Sequence, residues 1–324
     1  MNKVLAALKD NKRFLITAHV NLEGDSLGSQ LAMKELLKGM DKDAFILDSD
    51  AVPDHYRFLP NACDVCNDLN RHIEFDVAVV LDCPTLKRTG KVGDIIKEST
   101  KTILNIDHHV SNEQFGDINW VDSNASSAGE MVYRLFKALG VPLSKEAALY
   151  LYIAILTDTG SFNYDNTSSV THEIVSELLG YGLDPAIVSE RVYENRSIAD
   201  LKLLGLALSS TEVNASGEVA YLEITRDMLK STGADIMKSE GFVNYPRSID
   251  KVKVAILFKE DAKNRDVINI SFRAKGDVDV NKIASFFGGG GHMKASGCTI
   301  KGNLADAKKK VLSKVQEILR NNKR

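Results

Sequence analysis

Short apolar runs separated by stretches of helical period fill roughly the first half of the chain, which is the pattern of a parallel α/β sheet. Residues 14–18 (FLITA), 44–47 (AFIL), 76–81 (DVAVVL) and 102–106 (TILNI) read as strands. Between the first two, Leu27, Leu31, Met33, Leu36 and Leu37 recur at the spacing of an amphipathic helix that closes at Gly39. Residues 147–156 have the length and composition of a helix, so Asp158 is expected at a helix C-terminus. Residues 170–210 read as helical, with a stop at Gly180 and a second periodic run after Asn195. From about Thr211 the texture changes to strands at 218–224, 252–258 and 267–272 with hairpin-like turns, an α+β pattern.

The predicted organisation is therefore an N-terminal α/β domain over residues 1–195, with a parallel sheet and helices on both faces. A helical linker (196–211) and a smaller α+β domain (212–324) follow. A length of 324 residues suits two cores, since domains run roughly 100–200 residues. With 44% hydrophobic and 26% charged residues and no long uninterrupted apolar stretch, a membrane span is not expected. The first residues lack the pattern of a secretory signal, which makes the cytoplasm the expected location. Four scattered cysteines agree with a reducing compartment, and Cys63 and Cys66, spaced like half of a zinc site, have no second pair and read as ordinary thiols. A net charge of -3 argues against coating long duplex DNA, which needs many Lys and Arg contacts to phosphate, and leaves a short phosphorylated substrate compatible.

Candidate chemistry gathers where strands end. His19, Glu23 and Asp25 follow the first strand, Asp82 follows the third, and Asp107, His108 and His109 follow the fourth. In open parallel sheets, ligands collect at the carboxyl ends of strands. Asp158 joins them from a helix end. An imidazole with several carboxylates and no thiolate suits a hard to borderline divalent ion, Mn²⁺ ahead of Zn²⁺. Each residue also has a plainer reading as a solvated loop acid, and Asp25, just before Ser26 and Leu27, has the alternative role of helix N-cap. Ser126 and Ser127 read as caps of the helix that follows, Met293 as packing, and Trp120 and Tyr133 as core. His55, His72 and His172 read as surface or partly buried side chains, and the basic end 319–324 as a frayed helix end. Residues 288–291 are four glycines whose backbone suits close approach to an anion, with His292 as a donor. Arg273 is a candidate phosphate fork, with an internal salt bridge as its alternative, and Arg247 and Lys294 are weaker candidates.

The chain resembles the DHH-family phosphoesterases that carry a DHHA1 domain, in the layout of the stand-alone nanoRNase and pAp phosphatase group. The resemblance rests on residues 19–29 (HVNLEGDSLGS), 79–82 (VVLD), 107–109 (DHH), 157–160 (TDTG) and 287–297 (FGGGGHMKASG). Residues 244–249 (NYPRSI) and 271–273 (SFR) precede the last of these. It implies two Mn²⁺ ions, one on His19, Glu23 and Asp82 and the other on Asp25, Asp82, His108 and Asp158. It further implies that His109 faces the substrate phosphate, that Asp107 supports the His pair, and that Arg273, Arg247, Gly289, Gly290, Gly291 and His292 bind substrate across a cleft. The chain departs from the family at Glu23, where Asp is usual, and at Leu22, where Pro is usual.

The implied activity is hydrolysis of short RNA oligonucleotides to mononucleotides and of 3'-phosphoadenosine 5'-phosphate (pAp) to AMP. Cyclic dinucleotides are the alternative substrates, and a nucleotide-binding regulator weakened at Glu23 is the alternative of another class. A homodimer is a family-level expectation.

Overall fold

The apolar runs of the first half form strands buried from both sides. In the computed structural model, which describes residues 1–239, 241–291 and 293–321, contacts divide the chain into two units, Met1–Asn195 and Arg196–Arg324. The first unit holds a parallel sheet of β1 (Arg13–Thr17), β2 (Asp43–Leu47), β3 (Val65–Cys66), β4 (Val77–Leu81), β5 (Thr102–Asp107) and β6 (Ile118–Val121), in the order β3-β2-β1-β4-β5-β6. Side chains alternate along each strand. Phe14, Ile16, Val77 and Val79 enter the larger core with α2 (Gly24–Gly39), α4 (Ala128–Leu139) and α5 (Lys145–Asp158), while Leu15, Ala78 and Val80 pack on the other face with Val92 and Ile96 of α3 (Lys91–Ser99). Helices on both faces are what a buried parallel sheet requires.

Strand order reverses between β1 and β4, whose carboxyl ends therefore open a crevice with no crossover above it. His19 and Asp82 stand there. Strands β3 and β6 were not expected from the pattern: β3 has two residues, and β6 is a half-exposed edge strand in which Asn119 interrupts the apolar run. Helix α1 (Asn2–Asp10) precedes the sheet, and α6 (Ser169–Leu179) and α7 (Pro185–Tyr193) follow α5. The start of α7 has a local cause, since Asp184 caps it by accepting from Ala186 and Ile187 amides and Pro185 opens it.

The second unit builds a mixed sheet in the order β11-β12-β10-β9-β8-β7 from β7 (Glu212–Val213), β8 (Val219–Ile224), β9 (Val254–Glu260), β10 (Val267–Ala274), β11 (Gly290–Gly291) and β12 (Ala295–Lys301). Among the described residues, only β8 and β9 of this sheet pair in parallel. One face packs Ile256, Phe258, Ile270 and Phe272 on α11 (Val280–Phe286) and α12 (Leu304–Asn321). The other packs Leu222 and Leu257 on α8 (Ile198–Ser209) and α9 (Arg226–Thr232). Helix α8 spans most of the segment read as a linker, and its Leu203 and Ala207 are buried in this second core. A short helix, α10 (Asn244–Ser248), carries Arg247. Among the described residues no helix is long and apolar enough to cross a membrane.

Candidate metal centre

Strand ends and helix ends bring seven acid and imidazole side chains of the first unit together. His19 follows β1, and its Nδ1 lies 2.7 Å from the Val20 carbonyl, so that nitrogen donates and Nε2 is directed at Asp82 Oδ2 (3.2 Å) and Glu23 Oε1 (3.4 Å). Asp82 directly follows β4 and lies in the left-handed region, with φ of 51°. That uncommon backbone turns its carboxylate so that Oδ2 meets His19 while Oδ1 lies 3.5 Å from His108 Nε2. His108 Nε2 also lies 3.7 Å from Asp25 Oδ2 and 3.6 Å from Asp158 Oδ2.

The donor atoms form three sets, each within 4.8 Å: His19 with Glu23 and Asp82; Asp25 with His108 and Asp158; and Asp82 with His108 and His109. Asp25 does not cap its own helix. Glu23 occupies that position, and the buried Asp25 carboxylate instead accepts from the Ala128 and Gly129 amides at the start of α4 (2.7 and 2.8 Å). Ser127 caps α4 through the Glu130 amide.

Crowding of like charge shows in the acidities. Burial pushes the Asp25 carboxyl well above its ordinary range, and Asp82 and Asp158 add to it. Burial likewise pushes Asp158 up to about 6, with Asp82 and Glu23 acting against the pull of His108. For Asp82 burial acts upward, yet His108 and His19 outweigh it and hold the group well below the usual carboxylate range. Burial pulls both imidazoles down, and the carboxylates around them overcome it and raise His19 and His108 well above normal. A buried group of carboxylates that drives its own members to hold protons is a donor set short of positive charge, which fits divalent cations.

Asp107 ends β5 and accepts from His109 Nδ1 at 2.7 Å, while His108 Nδ1 lies 3.3 Å from the Ala125 carbonyl. Support for the two histidines is thus divided between a side chain and a backbone. Sequence reading passed over Asn112, whose amide donates to Asp107 Oδ2 (2.6 Å) and Asn105 Oδ1 (2.8 Å). It also passed over Asp48, which accepts from the Ala18 amide and the Thr17 hydroxyl (3.1 Å each) and so holds the end of β1 just before His19. Short polar loop residues carry no periodicity, and only the apolar strand before each of them marked the place.

In the second unit, Arg273 is the penultimate residue of β10, donates from Nη1 to the Phe272 carbonyl (3.0 Å), and has a buried Nε without a hydrogen-bond partner among the described residues. The glycines are explained first by packing. A Cβ on Gly289 would lie 2.1 Å from the Gly297 carbonyl, and Gly291, at φ of 142°, would place one 2.5 Å from the Ala295 carbonyl. The amides of Gly288 and Gly289 donate to the Ser285 and Ala284 carbonyls, and Gly290 and Gly291 pair with β12, so the run is a folded edge more than an open loop. Met293 is 41% exposed and is not core packing. Lys294 donates to the Gly276 carbonyl, and Arg247 is half-buried. His292 lies outside the described residues. Trp120 packs against the first core, and buried Tyr133 donates to Glu177.

Residues 13–155 match the DHH family, N-terminal domain, and residues 216–321 match the DHHA1 domain. The chain is 32% identical to the bifunctional oligoribonuclease and PAP phosphatase NrnA of Thermus thermophilus, over 94% of this chain and 89% of that protein. It is 29% identical to the protein of the same name from Bacillus subtilis, over 88% of each. The crystal structure of an exopolyphosphatase-related protein from Bacteroides fragilis superposes with a TM-score of 0.88 at 31% identity, covering 98% of this chain and 97% of that one. With its metal-binding type of donor set and both domains matched, the chain belongs to the DHH family of phosphoesterases.

Proposed function

We propose that this phosphoesterase hydrolyses short oligoribonucleotides to mononucleotides and pAp to AMP with two Mn²⁺ ions. His19, Glu23 and Asp82 would hold one ion, and Asp25, Asp82, His108 and Asp158 the other. The observation that carries the reading is the position of Asp82, whose two oxygens address the two donor sets separately. When bound, such a pair of ions supplies Lewis acidity, lowering the pKa of a water and steadying charge on the oxygens of an in-line displacement at phosphorus. With His109 Nδ1 donating to Asp107, Nε2 becomes the ring atom that would meet a substrate phosphate. Arg273, on the second unit, would supply a fork for a phosphate oxygen. The names of the relatives support the substrate class.

Glu23 bears on the regulator alternative. Its carboxylate reaches to 3.4 Å of His19 although its side chain is 45% exposed, so the longer residue still serves the first donor set. Purified protein with Mn²⁺ should release AMP from pAp and mononucleotides from a labelled RNA dinucleotide, with cyclic di-AMP assayed in parallel. Product from cyclic di-AMP alone would shift the substrate class, and no product from any of the three would overturn hydrolysis.

A further inference from the structure

Three of the four residues proposed for the second cation, Asp25, His108 and Asp158, are tied to one short stretch, residues 125–129, that leads into the first turn of α4. The peptide joining Ala125 to Ser126 faces two ways: its carbonyl meets His108 Nδ1 at 3.3 Å, and its N–H donates to Glu130 Oε2 at 3.1 Å. The Ala128 and Gly129 amides hold both oxygens of Asp25. The Ser126 carbonyl accepts from Asn166 Nδ2 at 2.8 Å, and the same nitrogen reaches the Asp158 carbonyl (3.2 Å) and Oδ2 (3.4 Å).

Glu130 fixes this stretch from beneath. Its buried carboxylate accepts from both the amide and the hydroxyl of Ser126 (3.1 and 2.6 Å) and pairs with Arg134, which also donates to Asp122 Oδ2 at 2.7 Å. Gly129 lets the start of α4 come close enough, since a Cβ there would lie 2.4 Å from Ala154 Cβ. A buried carboxylate satisfied by these three donors resists rearrangement, because any shift strands a charge away from water.

We infer that Glu130 and Asn166 are positioning residues for the second cation: Glu130 sets the 125–129 backbone that orients His108 and Asp25, and Asn166 ties Asp158 to that same backbone. His19, Glu23 and the shared Asp82 are not hydrogen-bonded to this stretch in the described contacts, so the effect falls on the three residues that serve the second cation alone. The inference rests on the two-cation reading proposed above and assigns residues to it that touch neither cation nor substrate. Groups that orient metal ligands typically govern about 10–100-fold in metal affinity.

The test is calorimetric and paramagnetic-resonance titration of the full chain with Mn²⁺ alone, for wild type, Glu130→Gln and Asn166→Ala. Metal-free thermal unfolding of each is recorded beside it. Wild type is expected to take up two ions, while each variant binds one as wild type does and the other about 10–100-fold more weakly. Asn166→Ala, at a half-buried loop position, keeps the test open should Glu130→Gln unfold. Two ions bound by the variants with wild-type affinities would overturn the positioning roles alone. An equal loss at both sites, in step with a lower unfolding temperature, would overturn them in favour of a general structural role. Wild type that takes up no pair of ions would overturn the two-cation reading and this inference with it.

Discussion

Asp82 and Asp48 show how single carboxylates in this unit are set by their surroundings. Asp82 has a left-handed backbone, and the three imidazoles that face it, His108, His19 and His109, outweigh burial and hold its carboxyl well below the usual carboxylate range. Burial pushes the Asp48 carboxyl up to about 7, although the Ala18 amide, the Thr17 hydroxyl, Gln30 and His19 around it pull the other way. An unfolded Asp48 ionises near its ordinary value, about 4, so between there and about pH 7 the folded chain retains a proton that the unfolded chain has lost. The stability linked to Asp48 is therefore full below that window and falls as pH rises through it. In metal-free protein, Asp48→Asn should gain stability relative to wild type from about pH 4 to 7, on the order of 3 kcal/mol by denaturant titration. A difference that stays flat with pH would contradict the assignment. At Glu23 the carboxylate already reaches His19, so Glu23→Asp should change the Mn²⁺-dependent rate by less than about tenfold, under ~1.4 kcal/mol of barrier. A larger rise in steady-state rate would show that the native glutamate compromises the first donor set.

Helices α2 and α5 bring Asp25 and Asp158 within reach of one histidine, and glycines permit it. At Gly28 a Cβ would lie 2.4 Å from the Tyr150 carbonyl, a backbone atom that cannot turn aside, and at Gly24 one would lie 2.4 Å from Thr157 Oγ1. Gly28→Ala should lower stability by about 1–3 kcal/mol, the usual cost of overpacking, and weaken the second donor set by moving α2 off α5. Thermal unfolding and Mn²⁺ titration check this, and a variant unchanged in both would refute the role given to the close crossing. None of that closeness is written in the local pattern. The strands were legible because the runs at 14–18, 76–81 and 102–106 are apolar on both faces, and the positions of His19, Asp82 and His108 followed from where those runs stop. Edge strand β6 was not, since Asn119 and partial exposure blur its pattern. Asn112 and Glu130 act through polar contacts 4 to 7 residues away and Asn166 through one 40 residues away, and no apolar spacing marks any of them.

At the scale of the whole molecule, two units with separate cores divide the proposed work. The donor sets lie wholly within Met1–Asn195, and Arg273 belongs to Arg196–Arg324. Arg273→Ala should therefore raise KM for pAp, by about tenfold for the loss of one charged hydrogen bond of ~1.4 kcal/mol or more, while leaving Mn²⁺ affinity unchanged. A loss of metal binding in that variant would place Arg273 in a structural role instead. The most direct test of the account is the release of AMP and phosphate from pAp by chelator-treated protein, with and without added Mn²⁺, for wild type and Asp82→Ala. The prediction is turnover by wild type only with Mn²⁺, and a fall of about a thousandfold or more in the variant, ~4 kcal/mol of barrier. Metal-independent turnover, or a variant as fast as wild type, would contradict it.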